Sequence, residues 1–426
     1  MKLLIGISLA LAASSLPAFA QRTMALAAKS DVAQPGFDAA RLQRLDAVIQ
    51  DHVDRKQIAG AIMFIARDGQ MAHLRTFGLQ DMEAARPMAP DAIFRIASMS
   101  KAVTSVAVMM LYEEGKFRLH DPVSKFIPGF KNSVVAVKPT DETPALPGRT
   151  YATVPAKRPI QIRDLLTHTA GLTYGDGLAN AEYRAANLIG WNFTAKDETI
   201  GDAINRLATL PLHGQPGEVY QYGYSTDVLG YLVEVASGMP LDQFFEERIF
   251  RPLKMVDTCF YLPPAKSARL ANVYGMEGGK LVLKETTGKS LYVYGPRKCF
   301  SGGAGLLSTV DDYGRFLQML LNNGELDGAR VLSRKSVELM RANHTGDKYV
   351  RDTKAFGLGF WVLDDLGHYG ELGTEGSYGW GSAYFPQYLV DPKERIVALF
   401  MTQHMPSGGL DLNQRFKTLM YQALVK

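Results

Sequence analysis

Strand signals occupy the two ends of this chain and helical signals fill its middle, and few folds accommodate that order. Ala59 to Gly78 reads as a hairpin: Ile62-Met63-Phe64-Ile65-Ala66 runs into Asp68-Gly69 and returns from Met71 to Phe77. Asp-Gly suits the two positive φ angles of a tight hairpin turn. Near the other end, Gly357–Leu363, Gly367–Leu372, Ser382–Val390 and Ile396–Met401 are strand-like, with Asp391-Pro392-Lys393 as a turn. Helical spacing marks residues 37–56 (Phe37, Leu42, Leu45, Val48, Ile49, Val53), Ile200–Leu210, Val228–Ser237, Asp311–Asn323, Ser333–Asn343 and a closing amphipathic stretch, Leu412–Val425. Ile160–Leu172 reads as a short helix stopped at glycine, 131–159 as a long surface loop, and 272–298 as irregular strand and loop. The simplest architecture is of the α+β type: an antiparallel sheet from both chain ends, flanked by helices, with an inserted, mostly helical domain. Residues 37–97 and 300–426 would form the sheet domain and 98–299 the helical one.

A chain of 426 residues with 46% hydrophobic content supports a large core. Residues 1–20 read as a cleavable leader: Lys2 is the basic start, Leu3 to Ala13 the apolar stretch, and Ala18-Phe19-Ala20 the cleavage site. The apolar stretch is too short to span a bilayer comfortably, and no cysteine follows the cut to carry a lipid. A periplasmic or secreted protein is therefore expected, without a stable membrane anchor. Losing Lys2 lowers the formal charge from +4 to +3, and no basic block invites nucleic acid. Cys259 and Cys299 are too few for a disulfide framework and are expected as two small buried side chains.

Ser98-Met99-Ser100-Lys101 is the only place where lysine follows a serine by three residues. The apolar positions after it (Val103, Ala107, Met110, Leu111) are helically spaced, so Ser98 lies at a helix start with Lys101 one turn on, on the same face. A helix N-terminus favours developing negative charge, and a partly desolvated lysine can serve as a base. Taken alone, the same four residues also describe a serine N-cap followed by a solvated lysine.

Two further elements change that balance. Pro216-Gly217 leads through an aromatic cluster into a helix near Thr226, leaving Tyr222 on a loop. A tyrosine beside a cationic lysine loses its proton more readily. Gly379-Trp380-Gly381-Ser382-Ala383 then runs into a strand, and a glycine-rich edge lets substrate approach backbone N–H groups, as acyl transfer requires. Each admits a plainer reading, a packed core tyrosine and a glycine bulge beside a tryptophan.

Together these stretches resemble the serine β-lactamase-like superfamily, on the class C β-lactamase and family VIII carboxylesterase side. Further support comes from Leu165-Leu166-Thr167-His168-Thr169-Ala170-Gly171-Leu172 and from Ser301-Gly302-Gly303-Ala304-Gly305. The resemblance implies that Ser98 is the acylated nucleophile and that Lys101 and Tyr222 together form its base. It implies an oxyanion hole from the backbone N–H groups of Ser98 and Ala383, and substrate contacts from Tyr224, Trp380, Gly381 and Ser382. Two departures matter. Tyr224 stands where class C enzymes carry an asparagine, and Trp380-Gly381-Ser382 stands where they carry Lys-Thr-Gly. Losing that cation favours neutral esters over anionic antibiotics.

Other chemistries are not supported. Gly-x-Ser-x-Gly and the common metal-ligand spacings are absent, and Leu283 occupies the first glycine position of a phosphate loop ending at Gly288-Lys289-Ser290. No cofactor or metal is expected. His168 reads as structural, and His404 as a residue near the cleft. The sequence thus predicts a serine carboxylesterase acting on short-acyl esters of small molecules, oligomeric state open. The alternatives are a β-lactamase or D,D-peptidase-like amide hydrolase, an acyltransferase, and a catalytically silent cell-wall-binding protein.

Overall fold

The computed structural model describes residues 36–349, 355–406 and 409–426; the leader assigned to residues 1–20 lies outside them. The central element is an eight-stranded antiparallel sheet built from both ends of the chain. Its members are β1 (Gly60–Arg67), β2 (Gln70–Asp81), β3 (Arg86–Pro87), β4 (Ala355–Phe356), β5 (Trp361–Val362), β6 (Tyr378–Gly381), β7 (Gln387–Asp391) and β8 (Ile396–Thr402), in the order β4-β5-β6-β7-β8-β1-β2-β3. β1 and β8 pair in register from Ala61↔Thr402 to Arg67↔Ile396, which joins the two termini at the sheet centre.

β1 is apolar without alternation because both faces are covered. Ala61, Met63 and Ile65 pack with Leu42, Leu45 and Ile49 of α1 (Ala39–Asp54) and with Phe416 and Met420 of the C-terminal helix Leu412–Tyr421. Ile62, Phe64 and Ala66 turn the other way, into the core shared with the helical middle of the chain. At the hairpin turn, Asp68 (φ 53°) and Gly69 (φ 73°) take the positive angles expected of Asp-Gly.

On that second face lies α2 (Ser100–Glu113), whose residues from Ser100 to Leu111 are all buried. A helix enclosed on all sides is expected to be apolar throughout, which is why its buried serines and lysine are informative. It packs against α3 (Ser225–Ser237). Among the described residues no helix is long and apolar enough to cross a membrane. Cys259 and Cys299 are free, the first half-buried and the second buried.

Several local expectations need correction. Gly367–Leu372 is not a strand: Leu366–Tyr369 forms a helical turn, because Asp365 caps the His368 N–H and Gly370 closes it at φ 71°. The strand expected over Ser382–Val390 begins only at Gln387 as β7; residues 382–386 are the turn that connects it to β6, with Phe385 at φ 77°. The region 131–159 is not all loop, since Val134–Val137 pairs with Ala152–Pro155. Within 272–298, Val273–Glu277 and Lys280–Glu285 form a hairpin turned by Gly278-Gly279, with a register shift between Val273 and Tyr274. The helix Ile162–Leu166 ends before its glycine, with His168 itself in the left-handed region at φ 53°.

The approach to Ser98 is pinned by Arg95, a guanidinium with no exposure. It donates to Ala271 O (2.7 Å), Gln403 Oε1 (3.2 Å), Glu285 (2.7 Å) and Ser290 Oγ (3.1 Å). Gln403 returns a bond from Nε2 to Arg95 O (3.1 Å), tying the segment before Ser98 to the end of β8. Arg95→Met should lower the unfolding free energy by roughly 3–5 kcal/mol, the cost of breaking a buried charged network. Urea denaturation at unchanged m-value measures it, and a midpoint equal to wild type would contradict the pinning role.

Candidate functional site

Ser98 lies in a single 3-10 turn, Ala97–Met99, that runs directly into α2. Ala97 is held at φ 35°, a strained angle for a residue with a Cβ and one the surrounding packing must impose. One turn on, Lys101 is fully buried. Its Nζ stands 3.5 Å from Ser98 Oγ, 3.1 Å from Tyr174 Oη and 2.8 Å from Gly303 O. A buried ammonium is costly unless its donors are matched, and these three acceptors come from three separate stretches of chain.

Tyr222 completes the cluster from a loop. The Gln221 N–H donates to His168 O and the Gly217 N–H to Thr169 O, both at 2.7 Å, stitching that loop to the segment after Leu166. Gly223 is required for this approach, since a Cβ there would lie 2.3 Å from Leu172 O. The Tyr222 ring sits beneath Lys101 Nζ, 4.6 Å from centroid to nitrogen, and its hydroxyl accepts from Trp380 Nε1 at 3.3 Å. Lys101 therefore meets the face of Tyr222, while its hydroxyl-to-amine hydrogen bond is to Tyr174.

Around these groups opens a cavity of about 840 Å³ lined by Ser98, Tyr174, Tyr222, Trp380, Gly381, Ser382 and Ala383 among others. Trp191, packed edge-to-face on Tyr384 at 5.5 Å, forms part of its wall. Tyr224, expected to touch substrate, is placed elsewhere. It is fully buried, stacks on Phe193 at 5.5 Å and bonds Gly190 O at 2.5 Å, supporting Tyr174 from behind. The reason is that α3 begins at Ser225, so the chain is already turning inward at Tyr224.

Sequence reasoning missed Tyr174, Trp191 and Asp227. Tyr174 lies two residues beyond the Leu165–Leu172 block, and its only signal was that proximity. Burial, then the neighbouring phenols and Asp227, raise its hydroxyl well above the usual tyrosine range, so Tyr174 stays a neutral phenol. His168 packs on Tyr222 at 4.8 Å between ring centroids; burial and then the Lys101 charge hold its pKa well below 6.5. His404 sits beneath the turn after β6, its N–H donating to Tyr384 O at 3.0 Å, and burial lowers its pKa also.

With this geometry in view, the relationships of the chain become specific. The β-lactamase family profile matches residues 45–419. The chain belongs to the β-lactamase family. It is 35% identical to Protein Rv1367c of Mycobacterium tuberculosis over 377 residues, covering 86% of this chain and 90% of that protein. It is 29% identical over 400 residues to Esterase EstB of Burkholderia gladioli, covering 90% and 95%. Its fold superposes on EstCE1, described as a hydrolase with promiscuous acyltransferase activity, with a TM-score of 0.75 and 25% identity over 91% of this chain and 99% of that one. The protein is thus a β-lactamase-fold serine hydrolase with esterase relatives.

The buried imidazoles give a pH prediction. Above about pH 6.5 the unfolded and folded chains both hold them neutral. Below it the unfolded chain takes up protons that the folded one resists, so stability falls toward acid. His404→Gln should flatten the dependence of unfolding free energy on pH between 5 and 7. A slope identical to wild type would show that His404 is not held neutral.

Proposed function

We propose that this protein hydrolyses neutral carboxylic esters through an acyl-enzyme on Ser98. The observation that carries the reading is Lys101 Nζ, desolvated and aimed at Ser98 Oγ by Tyr174 and Gly303. In this cycle the Lys101/Tyr222 pair accepts the Ser98 proton as Oγ attacks the ester carbonyl. The backbone N–H groups of Ser98 and Ala383 hold the oxyanion, and the alkoxide leaves with a proton from the pair. Water, deprotonated by the same pair, then cleaves the acyl-enzyme.

Trp380 supports the choice of a neutral substrate, since an indole stands where class C enzymes place a cation. The name of its relative Esterase EstB points the same way. The short-acyl expectation concerns the acyl half alone, because a cavity near 840 Å³ also leaves room for a bulky alcohol. The leader in residues 1–20 supports export from the cytoplasm. Purified residues 21–426 should hydrolyse p-nitrophenyl butyrate, with Ser98→Ala reduced by several orders of magnitude. Equal activity in the two would remove Ser98 from the chemistry. Tyr174→Phe should lower kcat on the order of 10- to 100-fold by releasing Lys101 from its aim, and a wild-type kcat would show that the Tyr174 hydroxyl does not position it.

Acyl transfer to an alcohol is a second reading, favoured by the same open cavity and by the promiscuous acyltransferase activity of EstCE1. Product analysis with added short alcohols separates the two: transesterified product at the expense of free acid supports transfer.

A further inference from the structure

Asp227, in the first turn of α3, is a buried carboxylate that the cycle above does not use. It is 1% exposed, and among the described residues no lysine, arginine or histidine pairs with it directly. Its Oδ1 accepts from Ser301 Oγ at 2.5 Å and from Gly303 N at 3.1 Å. Ser301 Oγ in turn accepts from Ala304 N at 3.1 Å. The peptide whose N–H belongs to Ala304 is the one whose carbonyl, Gly303 O, accepts from Lys101 Nζ at 2.8 Å. Both ends of that peptide are therefore bonded, one leading to the carboxylate and the other to the amine. Gly303 allows this spacing, since a Cβ there would lie 2.5 Å from Asp227 Oδ2.

We propose that Asp227 is a positioning residue that sets both the place and the charge of Lys101, acting through Ser301 and the Gly303–Ala304 peptide. The proposal rests on the Ser98–Lys101 reading. The physical basis is that a hydrogen-bond chain ending in a carboxylate polarises each of its members, most strongly where water is excluded. The Gly303 carbonyl is then a stronger acceptor than an ordinary peptide oxygen, and it holds the amine beside Ser98. The carboxylate also adds one negative charge to the surroundings of the amine. Burial pushes the Asp227 carboxyl up, opposed by the Ser301 bond, the Lys101 charge and the Gly303 N–H. The other titratable groups that feel this carboxylate are Tyr174, Tyr224 and Cys299. All three are raised chiefly by burial.

The test is the pH profile of kcat/KM for p-nitrophenyl butyrate in wild type, Asp227→Asn and Ser301→Ala, with fluorophosphonate labelling of Ser98 followed in parallel. Asparagine keeps an acceptor for Ser301 and removes the charge. The acidic limb of its profile should move toward lower pH by about one unit, the scale of one nearby charge, with KM within twofold. Ser301→Ala keeps the charge and cuts the relay, so its kcat should fall on the order of 10- to 100-fold with the limb closer to wild type. A superimposable Asp227→Asn profile, or a loss of kcat with the limb unmoved, overturns the proposal and leaves Asp227 a structural residue. Should Asp227→Asn fail to fold, Ser301→Ala decides: a wild-type kcat overturns the relay. If wild type cleaves no ester at all, the esterase reading falls, and Asp227 is judged on the pH dependence of the labelling rate by the same criteria.

Discussion

An amine with no access to water has to find its hydrogen-bond partners inside the protein, and in this structure Lys101 finds them in Ser98, Tyr174 and Gly303. Those partners arrive from a helix start, a loop after a short helix, and a glycine-rich segment more than two hundred residues beyond Ser98. Much of the surrounding architecture serves to bring them together. Arg95 and Gln403 anchor the chain just before Ser98. The backbone bonds from the 217–221 loop to residues 168–169 seat Tyr222 beneath the amine. Asp227 and Ser301 orient the peptide that faces it. Satisfying a buried amine and fixing its place beside Ser98 are here the same geometric problem.

The sheet explains why the arrangement holds. β1 and β8 lie side by side and are covered on both faces, so the strands leading toward Ser98 and away from β6 and β7 form part of one body. The cavity opens where the helical middle of the chain meets the edge marked by Trp380 to Ala383. An indole at that edge gives the cavity an aromatic wall.

How much of this could be read from the sequence depended on range. The β1–β2 hairpin was legible because its turn and its pairing are local: Asp68-Gly69 fixes the connection and the apolar run marks a strand buried on both sides. Ser98 and Lys101 were legible because three residues of helix bring them together. Gly367–Leu372 was misread because a cap from Asp365 and a left-handed Gly370 outweigh its strand-like composition. Tyr224 was placed at the substrate because it stands where the resembling class C enzymes carry an asparagine, whereas the start of α3 turns it inward. Tyr174 and Asp227 were invisible for the opposite reason: each matters through a partner tens to hundreds of residues away, and no local pattern encodes that contact.

The most direct test of the account is to catch the acyl group on its serine. Wild-type protein mixed with a slowly turned-over ester and quenched in acid should show, by mass spectrometry, one acyl increment per chain on the peptide containing Ser98, and none in Ser98→Ala. An increment elsewhere in the chain, or ester turnover with no increment at any time after mixing, would contradict an acyl-enzyme at Ser98.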